Sequence, residues 1–304
     1  MRSTDRWRGL PRRIFGVLAH AAGRTPQRGR VVLSSLLLAM GIPSAFSADD
    51  ALVLGIFPHL TAKKTIEVYR PLAATLEKHL QRQVVIHSAR DFKTFVERTR
   101  QGEYDILLTA PHLAWLARQE AGYRPLLKYA QPARGMLVVR ADSKLDSPEA
   151  LRGRDIAISD PIAVAVLAVQ AELAAHGLRH NTDYRTIETG THVNAVMQVI
   201  KRRADGAILG LHAFALIPPE LHRQLRVIAE TRPLSSLMFL SHPRLRDTET
   251  QAIRKALLDF AAAPEGRTFM QRGTYGGFAE VDGDELQAFR PYALQAQEIL
   301  RKNP

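Results

Sequence analysis

The 304-residue chain contains no cysteine. Disulfides, thiolate metal sites, a cysteine nucleophile and a lipid-modified N-terminal cysteine are therefore excluded. The sequence also lacks a GxSxG nucleophile elbow, a phosphate-loop lysine motif and a dinucleotide fingerprint. Glu97, Glu103, Glu172 and Glu188 offer no pair that sequence alone brings together for acid–base work. No enzyme and no cofactor is expected. Long apolar runs are missing as well. The run "VVLSSLLLAMGI" (Val31–Ile42) is too short to span a bilayer comfortably.

The net charge is +12, which invites a nucleic-acid reading. Its distribution argues against one. Residues 1–47 hold eight arginines against one aspartate, leaving 34 basic and 29 acidic residues after position 47. That remaining excess is scattered, with no basic stripe interleaved with aromatics. An arginine-rich segment, a short apolar core and the small residues of "AFS" instead predict a signal peptide over residues 1–47, cleaved near Ser47–Ala48. The mature chain is expected to be a monomeric periplasmic protein that, without disulfides, relies on its packed core.

After residue 48, apolar runs alternate with amphipathic stretches, the pattern of an α/β fold with mainly parallel strands. Nine strands are expected, at 51–57, 83–88, 104–109, 135–141, 155–159, 183–188, 205–210, 225–230 and 236–241. Among the helices, "YRPLAATLEKHL" places Tyr69, Ala73, Leu76 and Leu80 on one face, with Pro71 near the first turn. "PIAVAVLAVQAELAAHGL" ends in Gly177 at a C-cap position. The order predicts two lobes, 48–134 plus 236–304 and 135–235, joined by two crossings. Each lobe is expected to be a mainly parallel sheet flanked by helices.

In open parallel sheets, ligands bind beyond the carboxyl ends of strands. That rule gathers five loops around one cleft: "FPHL" with Phe57 and His59, "TAPH" with Thr109 and His112, "SDPIA" with Asp160 and Ala163, "TGTHVN" with Thr191 and His192, and "GLHA" with His212. A strand feeding directly into a helix N-terminus is an anion seat, because unpaired N–H groups point outward there. Four histidines sit on these loops, which suits a pH-sensitive anion pocket or, more weakly, a transition-metal site. No two of them have local metal-ligand spacing. Phe57, Trp115 and Tyr275 are candidates for apolar walls. Thr109 and Thr191 could bind a ligand or cap helices, and Asp160 could cap the helix after Pro161.

At those loops the sequence resembles the phosphate/phosphonate-type extracytoplasmic solute-binding proteins, members of the type II periplasmic binding fold. "LGIFP…YRPLAATLEKHL", "GEYDILLTAPHLAWLA", "LRGRDIAISDP", "TGTHVNAVMQVIKRRADGAILG" and "RVIAETRPLSS" fall in the family's order, and "GGFAEVDGDELQAFRPY" looks like its closing segment. The resemblance implies capture of a small anion or polar metabolite by lobe closure, for an ABC transporter permease. Alternatives are a sensor reporting to a membrane kinase or cyclase, a histidine-based metal binder and an enzyme related to pyrimidine-synthesising members of the fold.

The departures from the family pattern matter. A Ser-Thr-Ser-like run after the Asp-Pro corner is replaced by Ala163, Val164 and Ala165. The acidic ligand residue falls on Gly210 and a pocket tyrosine on Ala114, whereas His192 matches the family's pocket histidine. Each missing hydroxyl removes a charge-assisted hydrogen bond of about 1.5–3 kcal/mol. Weak phosphonate binding is expected.

Overall fold

Each of the nine apolar runs becomes a strand in the structure, a computed structural model that describes residues 51–302. The expected signal segment and its cleavage point lie outside the described residues. Among those described, no helix is long and apolar enough to cross a membrane.

The first stretch runs β1 (Leu52–Ile56), α1 (Ala62–Leu80), β2 (Val84–His87), α2 (Phe92–Arg100), β3 (Ile106–Thr109), α3 (Pro111–Ala121) and β4 (Arg124–Tyr129). The second runs β5 (Gly135–Arg140), β6 (Asp155–Ile158), α4 (Val164–Ala175), β7 (Arg185–Glu188), α5 (His192–Ile200), β8 (Gly206–Gly210), α6 (Leu211–Ala215), α7 (Pro219–His222) and β9 (Leu225–Glu230). The chain closes with β10 (Met238–Ser241), α8 (Asp247–Ala262), α9 (Pro264–Arg272), β11 (Phe278–Ala279), α10 (Glu285–Ala288) and α11 (Arg290–Lys302). Two strands escape the sequence pattern. β4 carries Pro125, which has no N–H for a ladder, and β11 is two residues long.

The strands form two sheets, ordered β11-β4-β10-β3-β1-β2 and β7-β6-β8-β5-β9. The chain passes from the first sheet to the second between β4 and β5 and returns between β9 and β10. These connections lie side by side. Ala133 and Leu234 exchange both backbone hydrogen bonds, at 3.0 and 2.8 Å.

The α/β architecture of two sheets flanked by helices matches the expectation, but strand direction is mixed where mainly parallel strands were expected. β1, β2 and β3 run parallel, as do β6, β7 and β8, because helices carry the chain back between them. β10 instead arrives from the other sheet with no intervening helix and inserts antiparallel between β3 and β4. β5 likewise follows its crossing directly and pairs antiparallel with β8 and β9.

Two helices start elsewhere than the pattern suggests. α1 begins at Ala62, where Thr61 accepts the Lys64 N–H at 3.3 Å, so Pro71 lies inside the helix and not in its first turn. The proline removes one helical hydrogen bond there, and the Thr75 hydroxyl donates to the Pro71 carbonyl at 3.2 Å. α4 begins at Val164 with Ala163 as its cap residue, and no side chain caps it. Asp160 holds the preceding corner instead, accepting the Ile162 N–H at 2.9 Å. Gly177 follows the end of α4 at φ 76°, a left-handed conformation that glycine adopts without strain.

The core of the first sheet is rich in buried tyrosine. Tyr69, Tyr104, Tyr123, Tyr129 and Tyr275 are all fully or almost fully buried. Tyr129 stacks on Tyr275 at 3.9 Å, and the Tyr69 and Tyr275 hydroxyls meet at 3.3 Å. Tyr275 also packs against His212 at 5.1 Å, and Tyr69 against His59 at 6.0 Å.

Candidate functional site

A cavity of about 50 Å³ lies where the two sheets meet. From the first sheet come Phe57 and His59 after β1, Phe92 at the start of α2 and Ala110 after β3. The second sheet contributes Ala163, Val164 and Ala165 at the start of α4, His192 at the start of α5, Gly210 at the end of β8 and His212 in α6. Ala133, Arg134 and Leu234 enter from the crossings. Loops at strand ends and helix starts therefore supply most of the lining, as the strand-end rule expects.

Of the eleven residues expected at the site, seven line this cavity: Phe57, His59, Ala163, Val164, Ala165, His192 and His212. The other four do not. Thr109 is fully buried with an unpartnered hydroxyl beneath α2 and α3. His112 is buried and donates from Nε2 to the Ile162 carbonyl at 2.8 Å. Asp160 holds its corner, as described above. Thr191 caps α5 by accepting the Asn194 N–H at 3.2 Å. Trp115 donates to Gln287 at 2.7 Å, and Tyr275 belongs to the buried tyrosine cluster. Ala114, where the family resemblance implies a pocket tyrosine, is fully buried in α3.

The three cavity histidines differ in what they leave free. His59 stacks on Phe57 at 4.3 Å and bonds the Phe57 carbonyl through Nδ1 at 3.0 Å. A carbonyl can only accept, so Nδ1 carries the proton and Nε2 accepts from the Tyr69 hydroxyl at 3.4 Å. His212 is engaged in the same way. Its Nδ1 donates to the Gly273 carbonyl at 3.1 Å, and its Nε2 accepts from the Ser236 hydroxyl at 2.8 Å. Of the three, His192 alone keeps a buried ring nitrogen, Nδ1, with no partner.

Burial keeps these rings neutral. It lowers the pKa of His59 to about 3, against the opposing pull of the Phe57 carbonyl, and the nearby His192 and His212 lower it further. His192 and His212 are each lowered to about 4, again by burial, with backbone carbonyls partly offsetting it. The imidazolium pocket expected from the sequence does not form at neutral pH, because the rings lie too deep in the protein to hold a charge. Asp160 moves the other way. Burial raises its pKa to about 6, opposed by the Ile162 N–H and helped by Glu188 and Asp91.

Arg134 is the cationic residue that sequence reasoning missed. It is half-buried at the cavity wall, donates to the Thr231 carbonyl at 3.3 Å and lies 3.8 Å from Glu230. The signal was positional: Arg134 is the last residue before the expected lobe boundary at 134/135. Next to it, Gly135 lets α4 approach the crossing. A Cβ at Gly135 would come within 2.8 Å of the Ala165 carbonyl oxygen. At Gly210 a Cβ would meet only the Ala165 methyl at 3.8 Å, so there is room where the resemblance implies an acidic side chain.

Hydrogen-bonding capacity is left over on α4 as well. The Val164 and Ala165 N–H groups at its first turn have no backbone acceptor. Among the described residues, no group of three or more histidine, aspartate or glutamate side chains is placed to hold a metal ion.

Comparison with known structures gives the same fold. A methylphosphonate complex of PhnD1 from Prochlorococcus marinus aligns with a TM-score of 0.74 at 12% identity, covering 82% of this chain and 99% of that one. A binding-protein component of an ABC phosphonate transporter from Pseudomonas aeruginosa aligns at 0.72 and 19% identity, covering 81% and 86%. The Xanthomonas citri protein XAC2383, bound to chloride ion, aligns at 0.66 and 20% identity, covering 82% and 99%. Residues 54–286 match the family model described as ABC transporter, phosphonate, periplasmic substrate-binding protein. The chain therefore belongs to the phosphonate-type periplasmic substrate-binding family of ABC transporters, whose members bind a solute without transforming it.

Proposed function

We propose that the chain captures a small oxyanion carrying an apolar substituent and delivers it to an ABC transporter permease by lobe closure. On this reading the lobes are 48–134 with 236–304 and 135–235. One observation carries the proposal: the free first-turn amides of α4 and the unpartnered Nδ1 of His192 belong to residues lining the same cavity. Helix N-terminal amides favour a negative head group, and Arg134 adds a cation whose ion pair with Glu230 is long and part-exposed.

The rest of the lining favours an apolar body. Phe57, Phe92, Ala163, Val164, Ala165, Leu234 and Leu237 offer no hydrogen bonds from their side chains. A fully polar anion such as phosphate would lose hydration against them without recovering it in bonds. A sensory role gains no support from the family match, and the histidines supply no metal cluster among the described residues.

Calorimetric titration with methylphosphonate, ethylphosphonate, phosphate and methanesulfonate tests this reading. An alkyl-bearing oxyanion is expected to bind more tightly than phosphate, and Arg134→Ala to weaken it about tenfold. If no oxyanion in the panel binds, or phosphate binds most tightly, the reading fails.

A further inference from the structure

With the lobes divided as proposed above, they exchange a reciprocal pair of buried histidine hydrogen bonds. From the first lobe, His112 at the start of α3 donates through Nε2 to the carbonyl of Ile162, in the corner before α4. From the second lobe, His212 in α6 donates through Nδ1 to the carbonyl of Gly273, between α9 and β11. Both rings are buried, at 0% and 4% exposure. Each has a backbone carbonyl of the opposite lobe as its acceptor, so each bond exists only while the lobes are together.

We infer that His112 and His212 form a two-point latch that holds the lobes closed and sets the first turn of α4 against the cavity. His112 is a positioning residue in this arrangement. It grips the carbonyl one residue before the α4 cap, and so fixes where the Val164 and Ala165 amides point. His212 makes the second grip, and its Nε2 also accepts from the hydroxyl of Ser236, the first residue of the returning segment of the first lobe.

The latch is linked to protons. Burial lowers the pKa of both histidines to about 4 in the closed form. Parting the lobes would return them toward the ordinary value of about 6.5. A base whose pKa is lower in the closed form disfavours closure below the open-form pKa, so closure weakens as pH falls from about 6.5 toward 4. The titratable groups around the latch are Asp160 in the corner that His112 grips, and His59, His192, Arg134, Tyr129 and Tyr275 around His212. Asp160 acts with the opposite sign. Its raised pKa of about 6 favours closure as pH falls, so it opposes the histidines. His59 and His192, also neutral by burial, act in the same direction as the latch if opening hydrates them.

The absence of native cysteine makes the test direct. Glu97→Cys and Lys201→Cys place one spin label on an exposed position of each lobe. Interlobe distances are then measured without ligand at about pH 7.5 and about pH 5. The expected result is a closed distance at the higher pH, with at least about a tenfold fall in the closed-to-open ratio at the lower one. His112→Gln with His212→Asn keeps both donors and removes both titrations. This variant should stay closed at neutral pH with a smaller pH response. His112→Leu should open at both pH values, with far-ultraviolet circular dichroism confirming its fold. A Gln/Asn variant with an unchanged pH response, or a folded His112→Leu that stays closed, overturns the inference. Neither outcome depends on which solute the cavity binds.

Discussion

The two walls of the cavity are built from different materials. On the side of the first sheet, Phe57 and Phe92 present apolar rings, and both ring nitrogens of His59 are committed, to the Phe57 carbonyl and the Tyr69 hydroxyl. On the side of the second sheet, small side chains at Ala163, Val164 and Ala165 leave helix amides uncovered, and His192 keeps a free nitrogen. One wall is a finished surface backed by a tyrosine core. The other holds unused hydrogen-bonding capacity. Ring type alone therefore does not mark a ligand contact. Three buried neutral histidines border one cavity, and of these only His192 keeps a buried ring nitrogen without a hydrogen-bond partner.

Restoring hydroxyls to the second wall should have the largest effect. Ala163→Ser, Val164→Thr and Ala165→Ser together add donors at an existing anion seat and should tighten methylphosphonate binding about 100-fold or more, read by calorimetry. No gain would mean that the head group sits elsewhere. A second test separates the walls. His192→Ala should weaken binding about tenfold and His59→Ala should leave affinity nearly unchanged, while each, by removing a buried ring, should cost about 2–3 kcal/mol of stability. Equal losses of affinity from both would erase the contrast between them. The smallest effect is expected from Tyr69→Phe, which leaves His59 Nε2 without its donor and should cost about 1 kcal/mol, lowering the melting temperature by about 2–4 °C.

Much of the fold was legible in the chain because buried strands are written as short apolar runs between turn residues. All nine expected strands appear. β4 was hidden by Pro125, and β11 was too short to leave a pattern. Strand direction was not legible, since it depends on whether a helix or a bare crossing precedes each strand. The site was partly legible. The strand-end rule found the loops with His59, His192 and His212, but it could not say which side chains turn inward. Thr109 and His112 sit on a correct loop and point away from the cavity.

Residue identity and local spacing were enough to set the α/β alternation, the absence of thiol chemistry and the loss of the corner hydroxyls. The protonation of the histidines, the partners of their nitrogens and the place of Arg134 at the cavity wall came from the folded arrangement. Those properties depend on burial and on contacts between residues far apart in the chain, and neither is encoded in any local pattern.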